Sequence, residues 1–166
     1  MKPDPAIAIP SINRSKDTDW LTDFRARIVN LKVPKIVAAI DERLRELGEH
    51  DLRVAIAKPL DDLTLVGRVE EAVRVSEEFL KYKHGRRVPT SRTKSMIVRW
   101  GHTEVVRRAV VNMNMSSDLE LLAKYDRLDF AYEQIILDFP SEFETAVADK
   151  ARANLCRLNA GVQADT

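Results

Sequence analysis

From Asp17 onward, apolar residues recur at intervals of three and four, and single Pro or Gly residues cut the pattern into short lengths. A half-buried strand would need strict alternation instead, so the pattern points to a set of separate amphipathic helices. The clearest stripe is Ile36, Val37, Ile40, Leu44 and Leu47, with Asp41, Glu42, Arg43, Arg45 and Glu46 opposite. Before it, Trp20, Leu21, Phe24, Ile28 and Leu31 predict a helix capped by Asp17 or Thr18, whose side-chain oxygens can accept orphan N–H bonds. Pro34 suits the first turn of the next helix, where its missing N–H is not needed. Gly48 is a natural stop for that helix.

Val54-Ala55-Ile56-Ala57 reads equally as a buried strand or a short helix, ended by Pro59. A helix from Leu63 or Thr64 to Tyr82 follows, closed by Gly85. Thr90 or Ser91 begins a short helix with Met96, Ile97 and Trp100, and Gly101 turns the chain into another with Val105, Val106, Ala109, Val110 and Met113. Ser117 with Glu120, and Ser141 with Glu144, have the spacing of capping boxes. Between them a turn at Asp126 precedes a helix carrying Leu128, Ala131, Tyr132, Ile135 and Phe139, which Pro140 breaks. The last helix presents Phe143, Val147, Ala151, Leu155 and Leu158 and is expected to end near Gly161. The fold class is therefore all-α: seven or eight packed antiparallel helices forming one domain over 17–160. Pro3, Pro5 and Pro10 mark 1–16 as a flexible N-terminal arm, and 161–166 is a C-terminal tail.

A chain of 166 residues, 45% hydrophobic and 32% charged, belongs with ordinary globular domains rather than disordered segments. The opening MKPDPAIAIP lacks the uninterrupted apolar core of a signal peptide, and no apolar run approaches the ~20 residues of a membrane span. The expected location is cytoplasmic, with no membrane partner. The single cysteine, Cys156, excludes an internal disulfide and a Cys-rich zinc site, and its place beside Leu155 predicts an inert core thiol.

An offset of 25 residues aligns Met96 with Leu121, Ile97 with Leu122, Trp100 with Tyr125 and Val110 with Ile135. Each copy is a short helix, a tight turn and a longer helix, as in stacked helix-pair (solenoid-like) repeats. Gly101-His102-Thr103-Glu104-Val105-Val106-Arg107 resembles the second helix of an ankyrin repeat over about a dozen residues. The family's Thr-Pro-Leu-His opening and its Gly-Ala-Asp hairpin are absent, and the spacing of 25 differs from the family's ~33. The resemblance implies a layer of helix pairs with an interaction role.

Charge is distributed unevenly. Lys81 to Arg108 holds nine Lys/Arg and one acid, Glu104, whereas the rest of the chain carries 18 bases and 25 acids. Lys81, Lys83 and His84 fall in the last turn of a predicted helix, where cations offset the partial negative charge of the C-terminus. Arg92 and Lys94 fall in a first turn, where positive charge is unfavourable. An anion nearby would explain them: a phosphate, an acidic protein face, or an acidic patch of the same chain. The candidate anion- and partner-binding residues are Arg86, Arg87, Arg92, Lys94, Arg99, Arg107 and Arg108. The expected partner is an acidic protein.

Nucleic acid is the alternative, because Thr93 to Val110 has a helix-turn-helix outline. That motif, however, buries apolar side chains where His102 and Arg107 stand, and the pI of about 7.9 is low for such a binder. Self-association into a homo-oligomer is compatible with the pattern. Trp20 and Trp100 each lie on an apolar stripe and are expected to pack in the core.

No residue set nominates catalysis. His50, His84 and His102 lack metal-ligand spacing, and the glycines form no phosphate loop. No metal site, cofactor site or catalytic residue is assigned, and an enzyme of unspecified class is the third reading.

Overall fold

The computed structural model describes residues 3–112 and 117–164, the side chains of 117 and 161–164 excepted. Nine α-helices and two 3-10 turns make up the described chain, with no strand among the described residues. By its own contacts the chain divides into two compact units, Met1–Val54 and Ala55–Thr166.

The first unit contains α1 (Pro5–Arg14), α2 (Thr18–Ile28), a 3-10 turn at Val29–Leu31, and most of α3 (Pro34–Ile56). Helix α1 corrects the expectation of an arm without helical structure. Asp4 caps it by accepting the Ala6 N–H at 2.9 Å, and Pro5 occupies the first turn, where no N–H is required. Pro10 lies inside the helix, a cost of about 3 kcal/mol for an isolated segment. Burial offsets it: Ile12 is fully enclosed with Leu21, Ile28, Ile36 and Ile40, and Ala8 packs beside them. Asp17 caps α2 through the Trp20 N–H at 2.8 Å, as its position predicts. Lys32 takes a left-handed backbone (φ 53°) and reverses the chain ahead of Pro34. Trp20 does not enter the core. It is 38% exposed and stacks on Phe24 at 5.2 Å.

Gly48 does not stop α3, which continues to Ile56 and settles the strand-or-helix question for 51–56. Glu49 bridges the glycine's neighbourhood to Arg53 at 2.9 Å, and Leu52 and Ile56 are buried. The carbonyls at the end of α3 find arginines of the second unit's own elements: Arg74 donates to Ala55 O at 3.1 Å, and Arg127 to Ile56 O and Lys58 O.

The second unit holds α4 (Leu65–His84), α5 (Ser91–Trp100), α6 (His102–Asn112), α7 (Ser117–Lys124), a 3-10 turn at Leu128–Phe130, α8 (Tyr132–Asp138) and α9 (Thr145–Ala164). Helix α6 packs on α4, α8 and α9, and α8 on α9. Their shared core includes Val69, Ala72, Val106, Val110, Ile135, Ile136, Val147 and Ala151. Burying each Val or Ile here is worth about 1.5–3 kcal/mol before entropy is counted.

Polar groups are also enclosed. Arg68 donates to Asp129 O at 2.8 Å and pairs with Asp138 at 2.9 Å, while Asn154 donates to Glu133 at 3.1 Å. The inner face of α9 therefore carries Asn154 as well as Leu158, and Leu155 is only partly buried. Cys156 faces solvent rather than the core. Helix α9 begins at Thr145, so Ser141 lies in the turn before it and does not cap it, and the backbone stays helical through Gly161 to Ala164. Met113 and the side chain of Ser117, hence the Ser117–Glu120 box, lie outside the described residues.

Candidate interaction face and the adjoining cavity

The seven candidate cations lie on the α4–α5 loop and on α5 and α6, and they fall into three kinds. Arg86 and Arg87 follow Gly85, whose left-handed backbone (φ 65°) closes α4. Both are exposed, as is Arg92 in the first turn of α5. None of these three has an ion-pair or hydrogen-bond partner among the described residues. Most other arginines of the chain are ion-paired.

Lys94 is different. Its ammonium sits 2.6 Å from a carboxylate oxygen of Glu77 on α4, and the same oxygen accepts the N–H of Thr90 at 3.0 Å and its hydroxyl at 2.9 Å. The Lys94 ammonium, followed by the Thr90 donors, draws the Glu77 carboxyl down to about 2. The anion that accounts for a lysine in a helix's first turn is therefore supplied by the chain itself. Lys94 helps to fasten α5 to α4 and is not a free ligand-binding cation.

Arg107 and Arg108 are likewise engaged. Both reach back one turn on α6 to Glu104, at 2.7 and 2.5 Å, and their guanidinium groups hold the Glu104 carboxyl down at about 2. Arg108 also lies over the Trp100 ring at 4.0 Å, with Arg99 at 5.4 Å. Arg99 remains exposed. Gly101 (φ 82°) makes the predicted turn between α5 and α6, yet the two arginines offered by the second helix are committed to Glu104. His102 bonds Glu70 through Nε2 at 2.7 Å.

Beside this face the second unit opens into a cavity of about 750 Å³. Leu80, Met96, Trp100, Leu119, Leu122 and Phe130 form much of its apolar wall. Arg92 and Arg108 stand on the α5–α6 side, and Asp118, Tyr132 and Glu133 come from α7 and α8. Trp100 is thus partly buried as a cavity wall rather than closed into the core.

Compared with protein-family models, with curated proteins and with solved structures, the chain matches none. Among the described residues no group of three or more His, Cys, Asp or Glu is arranged to hold a metal ion, and no helix is long and apolar enough to cross a membrane.

Two of these features were within reach of the sequence and two were not. Glu104 precedes Arg107 and Arg108 at helical i,i+3 and i,i+4 spacing, a signal strong enough to assign the pairs. The Glu77–Lys94 bridge joins two helices, and the cavity gathers side chains from five (α4 to α8), so neither leaves a local trace.

Proposed function

We propose that this chain is a non-enzymatic interaction module of the cytoplasm that binds an acidic protein partner through the loop between α4 and α5. The observation that carries it is the unpaired state of Arg86, Arg87 and Arg92 among the described residues, in a chain that otherwise pairs most of its arginines. Arg99 extends the face along α5. Guanidinium groups suit carboxylates because their planar donors can bond both oxygens at once. An acidic partner is favoured over nucleic acid here because Lys94, Arg107 and Arg108 are held by Glu77 and Glu104, leaving the second helix of the α5–α6 pair without free arginines to read a groove.

The test compares the wild-type chain with Arg86→Ala/Arg87→Ala/Arg92→Ala. Fluorescence anisotropy of a labelled Glu-rich peptide should rise with wild-type protein, fall with salt, and be lost in the triple variant. Each substitution lies on the surface, so folding stability should change by only about 0.5 kcal/mol per site. Duplex DNA bound by the same three arginines, with the peptide ignored, would move the assignment to nucleic acid. Retention of neither probe at low salt would sink both readings of this face.

A further inference from the structure

The cavity beside this face has two acids, Asp118 and Glu133, in its wall as well as two cations. Its volume of about 750 Å³ lies within the range of roughly 300–1,000 Å³ typical of small-molecule sites. Its two cations are not equivalent. Arg108 is already bonded to Glu104 and lies on Trp100, and Arg92 is exposed and so belongs to the solvent side.

The acids are less well provided for. Glu133 is 7% exposed, and among the described residues its carboxylate has one hydrogen bond, from the Asn154 amide to Oε1 at 3.1 Å. Asp118 accepts one hydroxyl, from Ser76 at 3.2 Å. Neither has a cation within ion-pair distance among the described residues. A carboxylate has about four acceptor positions, and one as buried as Glu133 with a single neutral donor is costly unless something else supplies charge and donors, whereas Asp118 is only partly buried. Burial, then the charges of Asp118 and Glu70, push the Tyr132 hydroxyl up to about 12.

We propose that this cavity binds a small, largely apolar molecule carrying a protonated amine, with the ammonium held by Glu133 and Asp118 and the apolar body lying against Met96, Trp100, Leu119 and Phe130. An ammonium brings three donors and the missing positive charge to the acids. An organic anion of the same shape would meet two carboxylates in the wall. The apolar wall supplies the non-directional part of the affinity. This site does not rest on the acidic-partner reading, which shares only Arg92 with the cavity wall and otherwise uses Arg86 and Arg87 on the loop outside it.

The experiment uses three probes with one skeleton: phenylbutylamine, phenylbutanol and phenylbutyrate. Each is titrated into the full chain, followed by tryptophan fluorescence, since Trp100 lines the cavity, and by thermal shift. The amine should bind about tenfold or more tighter than the alcohol, and the carboxylate weakest of the three. Glu133→Gln keeps the side chain's size and an acceptor for Asn154. It and Asp118→Asn should each bring the amine toward the alcohol's affinity, while Arg86→Ala/Arg87→Ala changes nothing. Equal affinity for amine and alcohol, a preference for the carboxylate, or an amine preference that survives both acid variants would each overturn the proposal. The wild-type ranking decides the matter even where a variant folds poorly.

Discussion

Lys94 Nζ lies 2.6 Å from Oε1 of Glu77, tying the first turn of α5 to α4. The carboxylate is mostly enclosed, and Thr90 adds an N–H and a hydroxyl to the same oxygen. Glu77 therefore anchors the N-cap residue of α5 to α4, although no side chain caps the first N–H groups of the helix itself. Glu77→Gln loses the charge that all three donors address. It should destabilise the protein by about 1.5–3 kcal/mol, the range for hydrogen bonds to charged groups. Lys94→Met should cost less, because the lysine is half exposed and Thr90 still bonds the carboxylate. Urea melts of the two variants check the order.

The same contacts fix how stability depends on acid. Glu77 and Glu104 are both drawn from 4.5 in the unperturbed group to about 2 in the fold. A depressed carboxyl contributes stability that is fully present above its unfolded value and is lost as pH falls through its folded one. Stability should therefore decline from about pH 4.5 down to about pH 2. In Glu77→Gln/Glu104→Gln that part of the decline should disappear, leaving a flatter acid limb in denaturant melts taken across the range.

The contrast between these two acids shows what a single sequence can and cannot convey. Glu104, Arg107 and Arg108 share one helix, so their pairing follows from the helical repeat alone. The all-α class and the turns at Gly85, Gly101 and Asp126 were legible for the same local reason. Glu77 meets Lys94 only because α4 and α5 pack, and no local rule foresees that. Helix α1 leaves no local signal because three prolines oppose a helix in isolation, whereas the burial of Ile12 that offsets them is a tertiary effect. Gly48 reads as a stop on the same local grounds, but the buried residues after it, Leu52 and Ile56, carry α3 through.

Gly85 and Gly101 should not tolerate side chains equally. Neither would bring an added Cβ within 4 Å of anything, so only backbone conformation separates them. Gly85 has φ 65° and ψ 10°, in the left-handed region that other residues enter at a cost of about 1 kcal/mol. Gly101 has φ 82° and ψ 166°, a region essentially confined to glycine, where the cost is nearer 1–3 kcal/mol. Gly101→Ala should therefore lower the melting temperature more than Gly85→Ala, and Gly85→Asn should be nearly silent.

Cys156 is exposed on α9. A thiol reagent added to the native protein should label it at a rate close to that of a small free thiol, with no need for denaturant. Labelling seen only on unfolding would contradict its position.

Gly67 gives the sharpest test of the packing at the start of α4. Asp62 accepts the N–H of Thr64 at 2.9 Å and its hydroxyl at 2.6 Å, and Thr64 Oγ1 in turn accepts the Gly67 N–H at 3.1 Å, capping the helix. A Cβ on Gly67 would collide with the Cβ, Cγ and Oδ2 of Asp62. The collision involves the root of the aspartate side chain, which cannot swing away without breaking the cap. Alanine is the better helix former by about 1 kcal/mol, yet Gly67→Ala should be destabilising by about 1–2 kcal/mol, since relieving the clash gives up the cap. In an Asp62→Gly background the whole obstructing side chain, Cβ included, is gone, and Gly67→Ala should turn neutral or stabilising. The double-mutant cycle therefore has a predicted sign, and additive effects of the two substitutions would show that Asp62 and Gly67 do not share this space.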